Sequence, residues 1–200
     1  MSELVVRQVG NDDRWLLWGW RNSARVRRVS ASDADISPDE HDAWFTDRLP
    51  RMRDQNLVVE WRGRPVGWFQ VEGWDPVART GEWGMGLGET ATPGLGGALP
   101  VLALGHAFDR LHATVMGARV LELNTNVLSI MRRLGIPITG ATPPVARLDG
   151  TTATASTYRV TAADWPIVRE RGLALLPSTL RAAVVGAIDA PVAPYSGRSV

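Results

Sequence analysis

The chain has 200 residues, a formal net charge of +1, no cysteine and no lysine. This length fits one domain, and the near-neutral charge gives no bulk attraction to nucleic acid or to a membrane surface. Without cysteine there are no disulfides, thiol nucleophiles or thiolate metal sites, and without lysine there is no Schiff-base residue. No apolar run reaches membrane-spanning length and the amino terminus lacks a signal-peptide pattern, so we expect a cytoplasmic protein.

The front of the chain alternates short strand patterns with two helical patterns. Asn11 or Asp12 begins a helix that ends near residues 21–22. Ser37, followed by Pro38 and two acidic residues, is typical of a second helix N-terminus. A turn at residues 62–64 between two apolar runs predicts a β-hairpin. The strands predicted in this part are 4–9, 57–61 and 65–71.

The rest of the chain is organised around a predicted strand, 80–87, that leads through a glycine-rich loop into a long helix, 96–111. A strand over 120–124, a helix over 127–134 and a hairpin of 139–141 with 152–160 follow. A further helix is predicted over 178–188. We therefore expect one main domain over 1–165 and a carboxyl-terminal extension over 166–200.

The glycine-rich loop has the composition of an anion-binding turn. Its three glycines lack a Cβ, so a ligand's phosphates can approach the backbone closely. The first amides of the following helix have no intrahelical partner and lie at the positive end of the helix dipole. We predict a pyrophosphate cradle here, and the alternative is a strand-to-helix turn without a ligand. The cradle consists of Gly94, Leu95, Gly96, Gly97 and Ala98.

The run Gly94-Leu95-Gly96-Gly97-Ala98-Leu99 resembles the pyrophosphate loop of the GNAT superfamily of N-acetyltransferases, and residues 124–136 resemble that family's final motif. The resemblance implies an α/β (α+β) fold whose mixed, mainly antiparallel sheet is flanked by helices and splays open beside the loop. It implies that acetyl-CoA enters this gap. The backbone of Met85, Gly86 and Leu87 would pair with the pantetheine arm, and Asn124 would contact the cofactor or order the strand. A turn-forming role is the alternative for Asn124.

Glu82 is the candidate general base. It lies on the strand that enters the cradle, and in the GNAT family a glutamate at this place often deprotonates the amine, directly or through water. Strand alternation puts Glu82 on one face with Gly84, Gly86 and Gly88. We expect this glycine face to be bare, as a ligand-facing surface would be. The alternative is a surface glutamate in solvent.

Two positions depart from the family pattern. The arginine or glutamine that the family places three residues before the first glycine is Ala91 here, so we expect either a low affinity for coenzyme A or compensation by Arg79, Arg132 or Arg133. The tyrosine that protonates the leaving thiolate falls on Met131, whose thioether cannot donate a proton.

The front third resembles acetyltransferases that act on nucleotide-linked aminosugars. The shared pattern is Trp20-Arg21-Asn22, followed by Glu40-His41-x-x-Trp44-Phe45. It implies that Arg21 pairs with an acceptor phosphate or carboxylate and that His41 and Trp44 face the acceptor. The alternatives are a helix-end arginine and a half-exposed helix histidine. The arginine cluster at residues 25–28 is interpreted as a solvated face.

Helical spacing among apolar neighbours predicts that Trp15, Trp18 and Trp44 lie in the core. His106 and His112 lack metal-ligand spacing, and no metal site is predicted.

The sequence thus predicts an N-acetyltransferase that uses acetyl-CoA and a small biosynthetic amine, such as an aminosugar nucleotide. Two alternatives stay open. The same fold could take another donor, an aminoacyl-tRNA or another acyl-CoA, in natural-product biosynthesis, or it could be a catalytically decayed binding module. We expect a monomer or homodimer without membrane contact.

Overall fold

The computed structural model of the chain describes residues 3–51, 55–88 and 93–195. The strands are β1 (Leu4–Gln8), β2 (Asn56–Trp61), β3 (Arg64–Asp75), β4 (Thr80–Leu87), β5 (Val115–Leu121), β6 (Ile138–Ala141), β7 (Val145–Ala146), β8 (Thr152–Ala153) and β9 (Ala155–Thr161). The helices are α1 (Arg14–Asn22), α2 (Ala24–Arg27), α3 (Pro38–Arg48), α4 (Leu95–Gly105), α5 (Thr125–Leu134), α6 (Trp165–Ala174) and α7 (Ser178–Asp189).

Seven strands form one sheet in the order β1-β2-β3-β4-β5-β9-β6, and β7 pairs with β8 separately. Every neighbouring pair in the large sheet is antiparallel except β4 with β5, which is parallel. The predicted mixed, mainly antiparallel sheet flanked by helices is therefore confirmed.

Strand alternation divides the core between the two faces of the sheet. On β2, Leu57 and Val59 join the main core under α4, whereas Val58 packs with Val9 and Phe45 on the other face. Helix α4 is buried along almost its whole length and packs against β3, β4, α6 and α7. Helices α1 and α3 thus lie on the face opposite α4 and leave a space between them and the sheet.

Local capping signals confirm two predicted helix ends. Ser37 Oγ accepts from the Glu40 amide at 3.2 Å, and Glu40 Oε2 accepts from the Ser37 amide at 2.9 Å, which is a complete capping box. Asn124 begins α5 by accepting from the Val127 amide at 3.3 Å, and Gly135 ends it with a φ of 73°.

The predicted bounds of one strand and the predicted burial of two tryptophans are wrong, and the predicted long helix is present but changes type near its end. The strand expected at 120–124 is β5, which starts five residues earlier, at Val115, and ends at Leu121. Its first residues, up to Gly117, pair with β4 on one side and with β9 on the other. The α-helical part of the long helix ends at Gly105, and a π-helical turn follows from His106 to Arg110. Trp15 and Trp44 are 51% and 44% exposed rather than core residues.

The carboxyl-terminal extension is part of the main core. The predicted helix over 178–188 is confirmed as α7, and Leu180, Val184 and Ile188 are buried in the same cluster as α4. Beyond α7, Ala193 exchanges backbone hydrogen bonds of 3.0 Å with Val6 and Gln8 at the edge of the sheet.

Candidate active site

Strands β4 and β5 separate beside the glycine-rich loop. They pair only where Thr80, Gly81 and Glu82 meet residues 115–117, although β4 continues to Leu87 and β5 to Leu121. The second half of β4 therefore has no neighbouring strand from the described residues on its β5 side. This V-shaped opening is the gap that the sequence predicts, and its closed end lies at Glu82.

The backbone of β4 offers hydrogen-bonding groups to this gap. Gly88 donates to the Val66 carbonyl on β3 at 2.9 Å, and antiparallel strands alternate the direction of their backbone groups. The N–H and C=O groups of Trp83, Met85 and Leu87 therefore point toward the gap, whereas those of Gly86 point toward β3. The Leu87 carbonyl already accepts a hydrogen bond from the Arg25 guanidinium.

The first turn of α4 lies at the open end of the gap. Gly94 precedes the helix with a φ of 84°, and its carbonyl accepts from the Gly97 and Ala98 amides at 3.0 and 3.2 Å. No acceptor for the Leu95 and Gly96 amides occurs among the described residues. Ala91, where the family has a cation or glutamine, lies outside the described residues.

The loop is supported from behind by the carboxyl-terminal extension. A Cβ on Gly94 would lie 3.0 Å from Pro177 Cδ and 3.2 Å from Leu180 Cδ2. The positive φ and this close approach both favour glycine at position 94.

A cavity of about 1620 Å³ joins the gap to the space beneath α1 and α3. Ligand pockets of roughly 300–1,000 Å³ hold one drug-sized molecule, so this cavity has room for two substrates that meet. Its two halves differ in chemistry. Apolar side chains from α4, β5 and α5 line the gap, including Leu99, Val120 and Ile130. Aromatic and charged side chains line the other half.

Glu82 lies in the cavity at the closed end of the gap. Its carboxylate accepts from Arg119 Nε at 2.8 Å and from the Arg119 terminal nitrogen at 2.6 Å. The Glu82 side chain remains 45% exposed. The predicted base is thus an ion-paired carboxylate that is open to the cavity, not a glutamate in bulk solvent.

The glycine face of β4 is not bare, which corrects the sequence-based prediction. A Cβ on Gly86 would lie 2.0 Å from Trp68 Cη2, and one on Gly88 would lie 1.9 Å from Trp20 Cε2. The two indoles stack with ring centroids 5.6 Å apart and an interplanar angle of 19°. The glycines make room for aromatic side chains from β3 and α1.

Arg21 is half-buried in the cavity wall. One terminal nitrogen donates to the Ser32 carbonyl at 2.9 Å, and the other is buried without a partner among the described residues. Burial lowers the pKa of the Arg21 guanidinium, and the nearby charge of Arg27 lowers it further. No carboxylate of the described chain pairs with Arg21. Its charge is therefore available to an anionic ligand.

His41 and Trp44 line the same half of the cavity. His41 is 4% exposed, so the alternative of a half-exposed helix histidine is wrong. Its Nε2 donates to the Arg14 carbonyl at 2.7 Å, and burial lowers the pKa of the ring. His41 is therefore neutral near pH 7, with Nδ1 as an acceptor. The Trp44 ring lies 5.6 Å from the His41 ring.

Asn124 and Met131 lie where α5 borders the gap. The Asn124 side chain caps α5, as the turn-forming alternative requires, and it also lines the cavity. Met131 is fully buried. The position that holds a proton donor in the family thus contributes an apolar wall here.

One of the arginines expected to compensate for Ala91 lies at the cavity. Arg133 lines the cavity, whereas Arg79 lies just before β4, at the end of that strand remote from the loop. The connector arginine Arg25 reaches the loop end of β4 and bonds the Leu87 and Gly88 carbonyls. Arg25 is exposed, as the interpretation of the arginine cluster as a solvated face predicts, but its contact with the end of β4 was not predicted from the sequence.

Sequence reasoning also missed Arg147, which ties the connector after α2 to the β7–β8 hairpin. Its buried guanidinium donates to the Ser30 and Arg28 carbonyls and lies 3.3 Å from the Asp33 carboxylate. These carbonyls follow the end of α2, where a cation is favoured. Arg147 thereby fixes one rim of the cavity.

Within residues 3–51, 55–88 and 93–195, no group of histidine and acidic side chains has the arrangement of a metal site. No helix in this part of the chain is both long and apolar enough to cross a bilayer.

Comparison with solved structures finds many chains of the same fold. Spermidine N-acetyltransferase from Vibrio cholerae, in complex with CoA and spermine, has a TM-score of 0.73 and 16% identity over 83% of this chain and 99% of its own. The yncA protein from Salmonella typhimurium, with its cofactor acetyl-CoA, has a TM-score of 0.64 and 20% identity over 80% and 94%. An N-acetyltransferase from Staphylococcus aureus Mu50 has a TM-score of 0.62 and 14% identity over 80% and 99%.

A search of the curated proteins found no match. The sequence model of the acetyltransferase (GNAT) domain matches residues 3–136, which include the gap, the glycine-rich loop and Asn124. This match spans more than half of the chain and agrees with the parted strands β4 and β5. The chain therefore belongs to the GNAT acetyltransferase family.

Proposed function

We propose that this enzyme transfers the acetyl group of acetyl-CoA to the primary amine of a small biosynthetic metabolite that carries an anionic group, such as an aminosugar nucleotide. The observation that carries the proposal is the cavity, because it joins a backbone-lined gap at the α4 N-terminus to a second half that contains Arg21, which pairs with no carboxylate of the described residues. The acetyl-CoA of a solved relative supports the choice of donor.

The described residues fit a coenzyme A thioester. The Leu95 and Gly96 amides, which have no acceptor among the described residues, and the α4 dipole would hold the pyrophosphate. The Met85 backbone would pair with the pantetheine arm as a neighbouring strand would, and Gly97, Ala98 and Asn124 border this path. The Leu87 carbonyl is occupied by Arg25, so Leu87 would bind the arm through its N–H or after Arg25 moves.

In the proposed reaction the amine nitrogen attacks the thioester carbonyl, the C–N bond forms and the C–S bond breaks. Glu82 accepts the proton that the amine loses, directly or through a water molecule. The thiolate leaves without a tyrosine donor because Met131 occupies that position.

The acceptor would lie beneath α1 and α3. Arg21 would pair with its phosphate or carboxylate, which would act as the counter-ion that the described residues do not supply. Trp44 and neutral His41 would contact the body of the acceptor, with Nδ1 of His41 accepting a hydrogen bond. One solved relative of the same fold is in complex with spermine, a polyamine. The feature to test is therefore whether the acceptor of this enzyme carries an anionic group.

The primary test is calorimetric titration with acetyl-CoA, followed by thiol release during incubation with an amine panel. We expect binding and turnover, with a kcat for Glu82→Gln reduced about 100- to 10,000-fold, the usual contribution of a general base. No binding at millimolar acetyl-CoA would contradict the proposal.

A second test addresses the acceptor. Glucosamine and glucosamine 6-phosphate carry the same amine and differ in one phosphate. We expect the phosphate to lower KM in the native enzyme, and Arg21→Gln to remove that difference while KM for acetyl-CoA stays unchanged. If the phosphate lowers KM equally in the native protein and in Arg21→Gln, Arg21 does not bind the acceptor.

A further inference from the structure

The side chains of β3 extend over β4 toward the gap. On β4 the positions that face α1 and α3 include Gly84 and Gly86, which have no side chain. Trp68 occupies the space that a Gly86 Cβ would need, and Gln70 Cγ lies 3.4 Å from the position of a Gly84 Cβ. Residues one strand away from the gap therefore form part of the cavity floor, and both Trp68 and Gln70 line the cavity.

Glu72 is the next residue in this β3 row. It lies directly opposite Glu82 in the register of β3 and β4, at the closed end of the gap, and it lines the same cavity. Gln70 Nε2 donates to Glu72 Oε1 at 2.6 Å, which orients the carboxylate along the floor.

The charges at this end do not balance. Arg119 is paired with Glu82, whereas no arginine or histidine among the described residues pairs with Glu72. Like charges directly opposite each other on two strands are destabilising. Glu72, Glu82 and Arg119 together carry one net negative charge, which a bound cation would neutralise.

We propose that Glu72 binds the amine nitrogen of the acceptor in its protonated form and so selects amines at the reacting end of the cavity. This inference rests on the proposed function, since the protonated amine must arrive beside the thioester before Glu82 takes its proton. Glu82 and Arg119 stay paired during binding, and Glu72 supplies the free charge. Glu72 is therefore a specificity-determining residue, distinct from the base.

Two coenzyme A derivatives test this role without knowledge of the acceptor. S-(2-aminoethyl)-coenzyme A places an ammonium group close to the position of the attacking nitrogen, and S-propyl-coenzyme A is its uncharged counterpart. Calorimetry gives the ratio of their affinities. We expect the native protein to prefer the ammonium derivative about tenfold, as for a hydrogen bond to a charged group.

Glu72→Gln should reduce this ratio to about one, because it removes the net negative charge while keeping the side-chain shape. The control is Glu170→Gln, the same change at an exposed residue of α6, which should keep the native ratio. Arg119→Gln should increase the ratio, since it leaves two carboxylates without a cation.

If the native protein binds both derivatives equally, or if Glu72→Gln keeps the preference, the role of Glu72 is overturned while coenzyme A binding stands. If neither derivative binds to the native protein, the proposed transferase function itself fails.

Discussion

The two halves of the active-site cavity are built in different ways. The donor half, between α4, α5 and the parted strands, presents backbone groups and apolar walls, and its geometry follows from the fold. The acceptor half, beneath α1 and α3, is built from side chains that hold one another, such as the Trp20–Trp68 stack and the Arg147 contacts. We therefore expect substitutions in the acceptor half to change the stability of the protein and its selectivity for the acceptor. In the donor half, we expect substitutions to have large effects at only a few positions.

Removing the buried guanidinium of Arg147 should have the largest effect. We expect Arg147→Ala to lower the free energy of unfolding by about 3 kcal/mol, because Asp33 and two backbone carbonyls lose a buried partner. Chemical denaturation measures this value. Arg132→Ala, on the exposed side of α5, is the matched control and should change it little.

The same variant also tests the separation of the two halves. Coenzyme A affinity of folded Arg147→Ala should equal that of the native protein, because Arg147 contacts only the acceptor rim. Weakened coenzyme A binding would show that the halves are coupled.

Gly86→Ala tests the side-chain packing of the acceptor half. The new methyl group would overlap the Trp68 ring, and overpacking of this kind costs about 1–3 kcal/mol. Thermal unfolding should show the loss together with a changed tryptophan fluorescence. Gly186→Ala is the control, since no atom lies within 4 Å of a Cβ at that helical position. A stable Gly86→Ala protein would mean that the indole stack rearranges freely.

Gly94→Ala tests the donor half at its most restricted position. An alanine with a φ of 84° is strained by about 1–2 kcal/mol, and its methyl group would press on Pro177. We expect a lower free energy of unfolding and weaker acetyl-CoA binding in calorimetry. Gly97→Ala, three residues later in the helix, meets only an ordinary contact and should retain native stability. The same loss in both variants would contradict the role assigned to Gly94.

The smallest effect concerns pH. Burial lowers the pKa of His41 in the folded protein, so near and below the ordinary pKa of histidine the unfolded chain binds more protons. The stability linked to this ring is therefore fully present above about pH 6.5, the ordinary pKa of histidine, and is lost as the pH falls from there toward the lower pKa of the buried ring. Denaturation at pH 7 and pH 5 should show a smaller acid-induced loss in His41→Gln than in the native protein. Equal losses would show that the ring is not held neutral.

The contrast between the halves also explains what the sequence could predict. The donor half depends on local signals, such as the Asn124 cap, Gly135 and the glycine-rich loop, and those signals identified the fold. The acceptor half depends on contacts between distant segments. The residues next to Gly86 in the sequence do not predict its contact with Trp68. The contact of Arg147 with Ser30 could not be predicted either, because the two residues lie far apart along the chain. Helical spacing likewise placed Trp15 and Trp44 in the core, because the pattern cannot distinguish a buried helix face from a solvent-exposed one or from a cavity wall.

The position of α7 links two distant parts of the molecule. Pro177 and Leu180 support Gly94, and Ala193 pairs with the first strand, so one segment stabilises structures near residue 5 and near residue 94. A variant shortened before Pro177 would lose both supports at once. Such a deletion would loosen the anion-binding turn and expose the backbone edge of β1 in the same step.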